Sequence, residues 1–244
     1  MVLLELLVLI TGGGFAVWSA KSLQRYREAQ LWSRAFAERD WPRLEAFARK
    51  LMPYARTPAS RARLRMALAH ALLMQDRPGE ALEQLDPALA RALPGREMAT
   101  WSNNRAYMLA QCGRLDDADD ELDCAEVIVG DDEHIDGRLL FSCVVGNRGL
   151  VRLRRGQLAE AEELIQRALG MTREFLAEAG ADPLLGAACR EWQAERFFWL
   201  AEAASLRGDV ELVRVRLAES AGFEGPFAEK ARARLGPASS ATKN

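Results

Sequence analysis

The chain opens on an almost unbroken apolar run, residues 2 to 20 (VLLELLVLITGGGFAVWSA), interrupted only by Glu5, Thr11 and Ser19. That is about the length a helix needs to cross the hydrocarbon layer of a bilayer. Beyond it apolar and charged residues mix, and small residues stand where helices ordinarily carry large apolar ones. In GNRGLVRLRRGQLAEAEELIQRAL, residues 146 to 169, Gly149, Gly156, Ala161 and Ala168 are seven, five and seven residues apart. The spacing predicts a helix, a turn at Gly156 and a second helix, with Gly149 and Ala161 letting the two antiparallel helices approach closely.

The same offsets recur upstream. NNRAYMLAQCGRLDDADDELDCAEVI supplies Ala106, Gly113, Ala118 and Ala125, and ARLRMALAHALLMQDRPGEALEQLDPALARALP supplies Ala69, Asp76, Ala81 and Ala88, with Pro94 expected to close that second helix. Looser copies surround Ala201 and Gly208, and also the stretch before residue 53, where Arg39-Asp40-Trp41 replaces the turn. Five helix pairs cover most of residues 25 to 227. This small-residue signature resembles the tetratricopeptide repeat, a 34-residue helix-turn-helix unit. The resemblance implies an all-α, tetratricopeptide-like helical-repeat solenoid in which each pair covers its neighbour's apolar face, with binding on a concave surface lined by the first helices. The other all-helical reading is an irregular bundle. Two features depart from the family: Arg105 and Arg148 stand where it more often has Leu, and Ala81, Ala118, Ala161 and Val213 are 37, 43 and 52 residues apart. EVIVGDDEHIDGRLLF and LAEAGADPLLGAACREWQ are therefore inserts, or extensions of the adjoining helices.

The N-terminal run lacks the basic leader of a secretory signal, and the bulky Trp18 stands where a cleavage site prefers a small residue. An uncleaved transmembrane helix is expected, divided as residues 1–20 anchor, 21–235 repeat domain and 236–244 flexible tail. Lys21, Arg25 and Arg27 follow the run directly, which places the repeat domain in the cytoplasm. Lys occurs only at 21, 50, 230 and 243, and this preference for Arg suggests a bacterial chain and hence an inner-membrane location. The order of anchor, basic flank and repeats is similar to that of the lipopolysaccharide assembly protein B family, whose terminal paired cysteines are lacking here. The competing reading is a soluble regulatory or chaperone-like module whose apolar first helix binds a partner or packs in the core.

Charge and chemistry narrow the function further. A formal net charge of -2 over 244 residues provides no global field for nucleic acid. Locally the balance is uneven: Lys21 to Arg65 holds twelve basic and four acidic residues, Gly113 to Leu140 eleven acidic and two basic. These are either solvated helix faces or a basic collar near a membrane followed by an exposed acidic middle. Cys112, Cys124, Cys143 and Cys189 are spaced too widely for a CxxC site, and His70 and His134 are the only imidazoles. DDEHIDG, residues 131 to 137, fails as a calcium loop because Cys143 occupies the position of the bidentate Glu. TGGGF lacks the Lys-Ser/Thr of a phosphate loop. No metal, no cofactor and no catalytic constellation is expected.

What remains is a binding surface for a protein or peptide. Helical spacing places Arg63, Met66, His70 and Met74 on one inward face, then Thr100, Asn103, Tyr107 and Gln111, then Cys143, Gly146, Leu150 and Arg154, with Asn104 and Asn147 at its edge. From these, His70, Asn103, Asn104, Tyr107, Gln111, Asn147, Leu150 and Arg154 are the candidate partner-binding residues, the amides being able to pair with a peptide backbone. The bland alternative is that the asparagines satisfy local groups and that Tyr107 and His70 pack. The expected function is a non-enzymatic, membrane-anchored interaction scaffold.

Overall fold

The computed structural model describes residues 35, 38–132, 134–178 and 183–236. The run at residues 2–20, all of the leading pair's first helix except Ala35, and the tail beyond Gly236 lie outside them. Every regular element among the described residues is a helix, and none is long and apolar enough to cross a membrane. Where the repeat pattern predicts one array, the chain divides into two compact units, one up to Ala92 and one from Leu93.

The first unit holds α1 (Trp41–Leu51), a 3₁₀ turn (Met52–Tyr54), α2 (Pro58–Leu73), α3 (Pro78–Gln84) and α4 (Pro87–Ala90). Each helix has proline in its first turn, where the missing N–H would have lacked an intrahelical acceptor anyway. Asp40 caps α1 by accepting from the Arg43 N–H, and Thr57 and Ser60 form a reciprocal capping box on α2. Ala35, Leu44 and Ala71 form a buried cluster, with Trp41 packed against it. The second helix of this pair does not run unbroken to Pro94. It stops at Leu85 and restarts at Pro87, leaving Ala88 exposed and Ala90 buried in its place. Pro87 lacks the N–H a continuous helix needs and drives Asp86 into extended backbone.

The second unit holds α5 (Gly95–Gln111), α6 (Leu115–Val129), α7 (Ile135–Arg154), α8 (Leu158–Glu178), α9 (Pro183–Leu206), α10 (Val210–Ala221) and α11 (Pro226–Leu235). α5 pairs with α6, α7 with α8 and α9 with α10. Each second helix also lies against the next first helix, and successive first helices touch, α5 on α7, α7 on α9 and α9 on α11. This is a tetratricopeptide-like stacking of helix pairs. The long spacings come from helix extension, since α7, α8 and α9 run 20, 21 and 24 residues.

One turn recurs in both units. Arg39, Asp76, Gly113, Gly156 and Gly208 are equivalent positions, and all five have φ between 55° and 77°. The N–H of the following residue reaches back to a carbonyl of the last turn, at 2.8 Å for Asp40 to Ala35, 3.1 Å for Arg77 to Leu72 and 2.9 Å for Arg114 to Leu109. Gln157 to Arg152 at 2.9 Å and Asp209 to Ala204 at 3.0 Å complete the set. Left-handed backbone closed by this bond ends a helix and reverses the chain.

Five residues after each turn the second helix presents Leu44, Ala81, Ala118, Ala161 or Val213, and the first four are buried. At Gly149 a methyl group would lie 2.7 Å from Ile165 Cγ1 and 3.3 Å from the Ala161 carbonyl oxygen. The small residues are small because the backbone of α8 occupies the space beside α7.

The acidic stretch is not a free acidic face. Arg105 meets Glu121 at 2.5 Å, Arg148 meets Asp123 and Glu126, and Arg152 and Arg155 both meet Asp119. Arg96 meets Asp132 at 2.7 Å and Asp136 at 3.4 Å. The two arginines that replace the family's leucine thus neutralise α6 from the helices on either side of it.

Candidate functional site

The residues expected on the concave face occupy different environments. Leu150 is fully buried. Asn147 Nδ2 donates to Asn103 Oδ1 at 2.9 Å, and both side chains are buried where α7 crosses α5. These three are corrected to packing residues: the Asn147 amide donates to that of Asn103, which gives both buried side chains a partner inside the fold. His70 sits in the first unit, its ring edge-on to Trp41 with centroids 5.5 Å apart. Burial pushes its pKa down to about 4, so it is neutral at physiological pH.

Tyr107 is half-buried and its hydroxyl donates to Glu195 Oε1 at 2.8 Å. Its ring centroid lies 6.2 Å from that of Trp199. Burial, Glu195 and the hydrogen bond to it all raise the phenol's pKa, while Gln111, half-buried beside it, acts the other way. Burial also pushes the Glu195 pKa up to about 7, against the opposing pull of the Tyr107 hydroxyl. The bond ties α5 directly to α9 across α7. Gly146 of α7 leaves room for Arg196, whose Nε would lie 3.1 Å from an added methyl.

Arg196 is 3% exposed and fastens three helices. Its guanidinium donates to the Ala168 carbonyl at 2.6 Å, to Thr172 Oγ1, and to the Ser142 carbonyl and hydroxyl at 3.0 and 3.1 Å. Among the described residues no carboxylate forms an ion pair with it, and burial lowers its pKa against the opposing pull of Cys143 and Glu195.

Asn104 is half-buried in mid-α5, and Arg154 is exposed at the C-terminal end of α7. Arg154 lines a cavity of about 330 Å³ with Leu153, Glu202, Ser205, Leu206 and Arg234, at the C-terminal ends of α7, α9 and α11. Its guanidinium lies 3.8 Å from Glu202, and the Arg234 guanidinium covers the Phe198 ring at 5.4 Å. Leu206 is 65% exposed at the rim. Two guanidiniums against one carboxylate leave the cavity net positive around an aliphatic lining, which suits an acidic peptide segment carrying an apolar side chain. Glu195, the carboxylate raised towards neutrality, does not line this cavity.

Four of these residues are reachable by extending the spacing rule to the fifth pair. The offsets that select Thr100, Asn103, Tyr107 and Gln111 around Ala106 select Glu195, Phe198, Glu202 and Leu206 around Ala201. Arg196 carries a different signal, standing where the other pairs have Leu64, Trp101 and Val144. Arg234 lies outside the repeat pattern and has no such signal.

No protein-family model matches the chain, and no curated protein matches it. Among solved structures it is similar to a Podosopora anserina kinesin light chain protein with nearly identical TPR-like repeats and to a point variant of it. Identity is 16% in both; the variant covers 87% of this chain and 94% of its own with a TM-score of 0.48, and the other 88% and 95% with 0.46. Neither match concerns lipopolysaccharide assembly protein B.

Proposed function

We propose that this protein is a non-enzymatic interaction scaffold that holds an acidic segment of a protein partner in the cavity at the ends of α7, α9 and α11. The same reading tethers it through residues 2–20 to the cytoplasmic face of a bacterial inner membrane. The observation that carries the binding part is the pairing of Arg154 and Arg234 around Leu153 and Leu206 in an open cavity. The upper part of the first-helix surface is bridged by Tyr107 and Glu195, so the partner meets the lower end. What supports the tether is sequence: the length of the apolar run and the basic residues that follow it.

Affinity capture from the native host tests the site. Arg154→Glu with Arg234→Glu should lose partners that the unaltered chain retains, while thermal unfolding shifts little. Capture that survives both reversals moves the site elsewhere. Alkaline carbonate extraction tests the tether: the full chain should stay with the membrane pellet, and its release would reject residues 2–20 as an anchor.

A further inference from the structure

We infer that the junction between α1 and α2 is a second membrane contact, in which Tyr54 and the cations around it dock on an anionic lipid surface; this rests on the membrane reading above. From Phe47 to Met74 the chain has six Arg or Lys residues and no carboxylate. Of these, Arg49 is committed to Glu45 at 2.8 Å, and Lys50 and Arg63 have partners of their own, which leaves Arg56, Arg61 and Arg65 to carry the docking. At the centre of the stretch, the 3₁₀ turn Met52–Tyr54 carries exposed Pro53 and a Tyr54 that is 74% exposed. Arg61 Nε donates to the Ala55 carbonyl at 3.2 Å, which holds its charged head over the turn between Tyr54 and Arg56. Arg65 follows one helical turn later on the same face as Arg61.

Tyr54 is thus an exposed aromatic ring at a turn flanked by the guanidiniums of Arg56 and Arg61. A tyrosine has an apolar ring and a polar tip, the combination found at the membrane–water boundary. Cations near an anionic leaflet are each attracted by an amount equal to about fivefold in binding.

The test uses the full chain with vesicles of phosphatidylcholine alone or mixed with phosphatidylglycerol, followed by flotation and amide hydrogen exchange of residues 52–57. Exchange should slow on the mixed vesicles only, recover at high salt as the Debye length contracts, and recover with Arg56→Glu plus Arg61→Glu. Losing two attractive cations lowers the docking constant about thirtyfold, and the two introduced carboxylates lower it further. Because Arg61 also holds the turn, Arg56→Glu alone and Tyr54→Ser serve as variants that leave its hydrogen bond in place, and each should give a partial recovery. Flotation with both vesicle types and equal exchange on each would overturn the inference while leaving the anchor standing. Flotation with mixed vesicles alone, abolished by the double reversal, would support the contact and reject the anchor. No flotation at all overturns both, and slowing by random-sequence duplex DNA but not by vesicles would assign the surface to nucleic acid instead.

Discussion

Two glycines within helices in contact allow the packing between α7 and α8 to be measured almost in isolation. Gly149 lies inside α7 and Gly170 inside α8. Replacing either with alanine gains the same intrinsic helix propensity, about 0.8–1 kcal/mol. At Gly170 an added methyl has no atom within 4 Å, so the gain should appear in full as increased stability. At Gly149 it would lie 2.7 Å from Ile165 Cγ1, 3.2 Å from the Ile165 amide nitrogen and 3.3 Å from the Ala161 carbonyl oxygen. Ile165 is fully buried and, being β-branched, stiff at χ1, and the two backbone atoms move only if α8 moves. Overpacking of this kind costs about 1–3 kcal/mol. The propensity gain cancels in the comparison, so Gly149→Ala should be less stable than Gly170→Ala by the overpacking cost alone, a gap of about 2–4 °C in Tm per kcal/mol. Urea unfolding of both variants with unchanged slope is the assay. Equal midpoints would mean that α7 and α8 are not held at the separation described, and would refute the explanation of the small-residue repeat.

Acid should act on the two units in opposite directions. The depressed His70 pKa contributes stability to the first unit that is present above pH 6.5 and lost as the pH falls towards 4; the raised Glu195 pKa contributes stability to the second unit that is present below pH 4.5 and lost as the pH rises through about 7. Denaturation across this range should show His70→Gln removing the first trend and Glu195→Gln removing the second. For the buried guanidinium, Arg196→Ala should cost about 3 kcal/mol or more, because it opens a cavity and strips partners from Ser142 and Thr172. Arg196→Met, which keeps volume and removes a desolvated charge, should cost less; equal midpoints for the two variants would show that the cavity contributes little.

The helix pairs were legible in the sequence because their determinants are local. A left-handed residue, a backbone bond closing the last turn and a small residue five positions later act within a dozen residues. The turn therefore survives at Arg39 and Asp76, where no glycine marks it, although Leu44 rather than a small residue follows Arg39. The break at Pro87 is equally local, since a proline in mid-helix removes a donor wherever it occurs, and it outweighs the repeat offsets that place Ala88 within a continuous helix. The inserts could not be told from helix extensions by spacing, because helix length is decided by what covers the added turns.

By itself the sequence determined an all-helical chain of stacked pairs, where their turns fall, and which positions must be small. The tertiary structure alone decided what the polar residues on the first helices do. Asn103 and Asn147 are 44 residues apart, and Tyr107 and Glu195 are 88 apart. Whether such groups meet each other or solvent depends on how far each helix is rotated and how steeply successive pairs curve. Helical spacing assigns a side chain to a face, but curvature decides whether that face is open. Here Tyr107 on α5 meets Glu195 on α9 and Asn103 meets Asn147, so residues placed on a binding surface by periodicity became internal contacts, and the proposed site lies at the Arg154 end, where α11 supplies Arg234.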